Sequence, residues 1–107
     1  MAITAKILGK VKPSAATNTT LYTAPALTQG QVNVFICNQT ASSDTIRVAV
    51  INSGGTINTT DYLLYDITVT ADTPISIDGI CLNAGEFIQV YTTNARCSFV
   101  ATGLEIT

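Results

Sequence analysis

The sequence predicts an all-β domain: an antiparallel β-sandwich of about eight strands, jelly-roll-like, with an N-terminal arm or strand. Three observations predict it. β-Branched residues recur along the whole chain, no long segment carries a 3.6-residue apolar period, and clusters of Gly, Asn, Ser and Pro interrupt the chain at short intervals. Short strands separated by such turns build two packed sheets whose inward residues share one core. A chain of 107 residues holds one core of that kind.

Each element has its own signal. Ile3–Val11 reads as a first strand or arm, broken by Pro13-Ser14-Ala15-Ala16, so residues 1–20 are expected to be a basic arm or strand and linker, and residues 21–107 the sandwich. Leu21–Thr23 runs into Ala24-Pro25, and the residue before a proline is pushed to extended geometry, which suits a short edge strand or a strand entry. Gln31–Asn38 alternates Val32, Val34 and Ile36 with Asn33, Phe35 and Cys37. Both faces are largely apolar, which places this strand inside a sheet. The polar run Asn38–Asp44 leads to Thr45–Ile51, where Ile46, Val48 and Val50 oppose Arg47, Ala49 and Ile51; a hairpin is the simplest way to join these two strands. Asn52-Ser53-Gly54-Gly55 is a turn, extended by Thr56–Thr60 into the longest exposed excursion before Asp61–Asp66. Ile67–Val69, Ile75–Leu82, Phe87–Thr92 and Cys97–Ile106 complete the set. Strand order stays open at this level.

The composition is 47% hydrophobic and 11% charged, where an ordinary soluble domain carries about 25% charged residues. So few charges point to a surface that partner subunits cover, with a Thr/Ser/Asn-coated surface as the alternative. Net charge is −2, unevenly spread: Lys6, Lys10 and Lys12 precede every acid, and only Arg47 and Arg96 follow. A continuous basic patch is missing, which speaks against nucleic acid, whereas a short lysine-bearing segment suits docking to a protein. No apolar run is long enough for a membrane span, and Met1–Lys12 lacks the apolar centre of a signal peptide, so no membrane partner and synthesis in the cytoplasm are expected. Cys37, Cys81 and Cys97 match no zinc or redox spacing and are expected to be reduced core residues.

The same residues discourage catalysis. There is no histidine and no tryptophan, which removes the usual neutral-pH base, the usual nitrogen ligand of metals and the strongest sugar-stacking surface. Asp44, Asp61, Asp66, Asp72, Asp78, Glu86 and Glu105 fall mostly at strand ends, where carboxylates cap backbone amides. Neither an enzyme, a cofactor nor a metal site is expected. Tyr62 and Tyr65 are candidates for an interface, and Asn58, Asp61 and Tyr62 offer only a thin version of a glycan site.

The run Leu21-Tyr22-Thr23-Ala24-Pro25, then Val34-Phe35-Ile36-Cys37-Asn38, then Asp61-Tyr62-Leu63 with Tyr65-Asp66 resembles small structural proteins of tailed bacteriophages. Gly79-Ile80, Leu82-Asn83-Ala84-Gly85-Glu86, Val90-Tyr91 and the closing Phe99–Ile106 extend the resemblance over almost the whole chain. It implies a virion location and a capsid decoration, or cement, protein, commonly a homotrimer bound to the major capsid protein. A tail, baseplate or fibre component is the alternative. On that reading Lys6, Lys10, Lys12, Tyr62 and Tyr65 are the candidate partner-binding residues.

Overall fold

The computed structural model describes residues 1–107 and places eight strands in two sheets. In chain order these are β1 (Ile3–Val11), β2 (Thr19–Thr23), β3 (Gln29–Asn38), β4 (Asp44–Ile51), β5 (Tyr62–Val69), β6 (Pro74–Leu82), β7 (Phe87–Thr92) and β8 (Cys97–Ile106), with a single 3₁₀ turn at Thr59–Asp61. The first sheet has the order β1-β8-β3-β6 and the second β2-β7-β4-β5. Every pairing is antiparallel. The partners β1·β8, β2·β7, β3·β6 and β4·β5 are those of one long antiparallel ribbon folded so that successive pairs join alternate sheets, which is the jelly roll.

Period-two alternation builds the core. Val32, Val34 and Ile36 of β3 face Ile46 and Val48 of β4 across the sandwich, joined by Ile88 and Val90 of β7 and by Cys97, Phe99 and Ala101 of β8. Burying one such Val, Leu, Ile or Phe contributes roughly 1.5–3 kcal/mol. Ala49 and Ile51 are also buried but lie outside that cluster. They sit on the outer face of the second sheet, where the turn at Gly55 comes down on Ile51. β1 closes one flank by bending over β2 at a bulge. A Cβ on Gly9 would stand 2.3 Å from the Leu21 carbonyl oxygen, so only glycine passes there.

Residues 1–20 take the strand alternative rather than the free arm. β1 pairs with β8 from Ile3 to Val11, Pro13 is buried, and β2 begins at Thr19, so the sheets run across the expected boundary at residue 20. Of the two alternatives for Leu21–Thr23, β2 takes the edge strand.

Three expectations are corrected. β3 and β4 do not form a hairpin; they belong to opposite sheets. The Asn38 side chain donates to the Ser42 and Val69 carbonyls and accepts from Thr40, so the short connection turns across the sandwich instead of back along β3. Next, β5 begins at Tyr62, not Ile67, because a bulge hides its alternation. Finally, Cys97 alone is a core cysteine. Cys37 and Cys81 are exposed, since each occupies an outward position beside buried Ile36 or between buried Ile80 and Leu82.

Candidate partner-binding surfaces

The folded chain exposes 5633 Å², close to the roughly 5,700 Å² expected of a compact domain of this mass. Its exposed apolar side chains are therefore not a sign of loose packing. Apart from Met1, Leu27 and the β1 residues Ile3 and Ile7, they fall in three places.

One is the flank between the edge strands β5 and β6. Val50, Leu63, Ile77 and Ile80 line a hollow there, and Leu63 and Ile67 are 47% and 40% exposed. A second is the outer face of the first sheet. There Phe35, 47% exposed, lies between Ser76 and Val100, and Cys37 lies between Pro74 and Ser98, around one shallow depression. Val100 in turn pairs with Lys10, so a lysine borders this apolar face.

The third is an arginine–tyrosine cluster on the outer face of the second sheet. The one residue of β4 between Ile46 and Val48, Arg47, is matched by two of β5 between Leu64 and Ile67, Tyr65 and Asp66, and Asp66 takes the left-handed φ of 52° that an aspartate tolerates. This bulge puts Tyr65 and Asp66 together beside Arg47. The Arg47 Nε donates to Asp66 Oδ1 at 2.6 Å and its Nη2 to Oδ2 at 3.3 Å. Its guanidinium carbon lies 4.4 Å from the ring centres of both Tyr65 and Tyr91. Tyr62 meets Tyr65 edge to face at 4.8 Å, and a hollow beside them is lined by Ile57, Asn58 and Thr59. The hydrogen bonds to Asp66 raise the already high Arg47 pKa further. Rigid tyrosines around an arginine are the side chains that most often anchor protein interfaces.

The structure thus joins Tyr62 and Tyr65 in one site and adds Arg47, Asp66 and Tyr91, which the sequence reading did not select. Alternation already turned Arg47 away from Ile46 and Val48. The missing signal was the pairing of Arg47 with Tyr91, which depends on strand order.

The three lysines separate. Lys6 Nζ lies 2.6 Å from Glu105 Oε1, and the buried Tyr22 hydroxyl donates to Glu105 Oε2 at 2.7 Å. The bond from Lys6, then that from Tyr22, hold the Glu105 carboxyl below its ordinary range. Burial, followed by the bond to Glu105, keeps the Tyr22 phenol protonated well beyond its usual value. Lys6 is committed inside the domain, whereas Lys10 and Lys12 are exposed and free of ion pairs.

Three of the seven carboxylates serve the backbone. Asp44, 2% exposed, accepts from the amides of Thr45, Asn94 and Arg96. Asp61 accepts from Asn58 and Glu86 from Asn83. No three His, Cys, Asp or Glu side chains converge as metal ligands would. Comparison of the chain with protein-family models, with curated proteins and with solved structures found no match.

Proposed function

We propose that this chain is a non-enzymatic virion structural protein, a decoration protein that assembles as a homotrimer and binds across subunits of a phage capsid. The jelly roll is compatible with this reading but does not select it, since the fold also carries other functions. The observation that carries the proposal is the apolar flank between β5 and β6. Leu63 stands half-exposed over Val50 and Ile77 at an open side of the sandwich, and Ile67, also half-exposed, lies further along β5 opposite Ile46. In a threefold assembly the flanks of three copies cover one another.

The outer face of the first sheet then meets the capsid. Its Phe35, Val100 and Cys37 supply apolar contact, and Lys10 and Lys12 supply charge at its border. Such a protein stabilises a shell by adding buried area between shell subunits, and it needs no reactive group. Light scattering on the recombinant chain tests the assembly. A trimer that the double substitution Leu63→Lys and Ile67→Lys disperses into folded monomers supports the flank; a wild-type chain that never forms trimers removes it.

The second reading, a tail, baseplate or fibre module, is favoured by a different observation, the Arg47–Tyr65–Tyr91 cluster beside the hollow at Asn58 and Tyr62. On that reading substitution of Tyr62 or Tyr65 abolishes attachment to a host surface or a tail protein and leaves assembly intact.

A further inference from the structure

The four edge strands of the two sheets are β1, β6, β2 and β5, and three of them are unsuited to pairing with another chain. β6 starts at Pro74 and is interrupted at Asp78-Gly79, where Gly79 has φ +76° and its amide donates to the Asn33 side chain. β5 carries the Asp66 bulge, and β2 is five residues long with an irregularity of its own. Prolines, bulges and shortness are the devices that stop sheets from growing.

β1 lacks them over its first half. Its only register shift falls between Ile7 and Gly9, so Ile3–Ile7 is a regular strand, exposed at every residue, with Ile3 and Ile7 59% and 58% exposed. The phase of its hydrogen bonds is known. Ala2 and Thr107 exchange both backbone bonds at 2.9 Å, and the register continues through Thr4↔Glu105 and Lys6↔Gly103. In an antiparallel ladder the even residues therefore turn their amides and carbonyls to β8, and Ile3, Ala5 and Ile7 direct theirs away from the sheet.

We infer that the outer edge of β1 pairs antiparallel with β1 of a second copy of this chain, about a twofold axis through Ala5. The occupant follows from self-complementarity. With Ala5 opposite its counterpart, Ile3 meets the partner's Ile7, Ile7 meets the partner's Ile3, and Lys6 meets the partner's Thr4. The isoleucines then join on one face, and no lysine opposes a lysine, since Lys6 is held by Glu105 and Lys10 and Lys12 lie beyond the bulge. The outward groups of Ile3, Ala5 and Ile7 form about six interchain backbone bonds, and two copies of the first sheet become one continuous sheet.

This inference does not rest on the trimer proposed above. β1 and β6 are opposite margins of the first sheet, so the two contacts coexist. Five residues a side is fewer than the about 20–30 of a standard interface, so the pairing is expected to dissociate on dilution.

Sedimentation velocity of the full chain over a wide concentration range tests it, with two variants. Ala5→Pro removes an amide that points away from β8, and thus blocks the edge while sparing the ladder. Ile3→Lys with Ile7→Lys places charges on the edge at exposed positions and decides the matter if the proline variant fails to fold by circular dichroism. A dimer that the variants reduce to monomer, or a hexamer that they reduce to trimer, is the expected result. Monomer or trimer alone at the highest concentration overturns the inference, as does an even-numbered assembly that survives the variants. A trimer leaves the flank standing while β1 pairing falls, and a dimer does the reverse, so the two readings fail separately.

Discussion

Replacing Asp44 by alanine should destabilise the domain more than any surface change, because of what its carboxylate holds. Asp44 opens β4 just after the chain has crossed between sheets, and it is 2% exposed. Oδ1 accepts from the amides of Thr45 at 2.8 Å and Asn94 at 3.0 Å, and Oδ2 accepts from Arg96 at 3.0 Å. One side chain therefore ties the start of β4 to the turn between β7 and β8. Alanine leaves three donors without their acceptor, and an orphaned buried donor costs about 1–3 kcal/mol. Water reaches part of the turn, so the expected total is about 2–4 kcal/mol rather than the sum of three full penalties. For a domain of this size that is a fall in Tm of roughly 10–20 °C. Asp44→Asn retains one carbonyl acceptor and should fall between. Thermal unfolding by circular dichroism gives the stability, and hydrogen exchange at Asn94 and Arg96 reports the turn itself. A loss under about 0.5 kcal/mol, the range of ordinary surface substitutions, would refute the anchoring role.

Other outcomes follow from the same structure. Glu105 is more acidic folded than unfolded, so its contribution is full above about pH 4.3, the unfolded value, and is lost as pH falls through the lower folded value; Glu105→Gln should remove that part of the acid sensitivity in denaturant titrations. Burial, with help from Asp44 and Cys37, pushes the Cys97 thiol up to about 11, so its contribution is full below about pH 8.5 and lost as pH rises through 11. Cys97→Ala should flatten part of the alkaline decline, with Tyr22 accounting for the remainder. A maleimide should label Cys37 and Cys81 in the native chain and Cys97 only in denaturant; protection of all three would contradict the outward facing of β3 and β6. Arg47→Met keeps a stem between Tyr65 and Tyr91 but removes the cation, and should cost about 1 kcal/mol in urea unfolding.

What was legible in the sequence is what alternation encodes. Val32, Val34 and Ile36, like Ile46 and Val48, declare their inward faces by period alone, and Asn52-Ser53-Gly54-Gly55 declares its turn by residue chemistry. The pairing of strands is a property of distant segments, so the crossing at Asn38–Asp44 looked like a hairpin, and Arg47 could not be matched with Tyr91. The bulge at Tyr65-Asp66 broke the phase of β5 and hid its first residues. The cysteines carry a further lesson. β3 is apolar on both faces, which implies cover on both, yet the domain covers only one; Phe35 and Cys37 are left bare on the other. A strand apolar on both faces but covered on one is compatible with the capsid-facing surface proposed above.

The proposal that this chain is a structural subunit of a phage particle is tested most directly by electron microscopy of any virus particles released from cells that carry its gene, labelled with a gold-tagged antibody against the chain. The account expects gold distributed over the whole shell. Gold at one pole would move the protein to the tail, and unlabelled particles would contradict the claim.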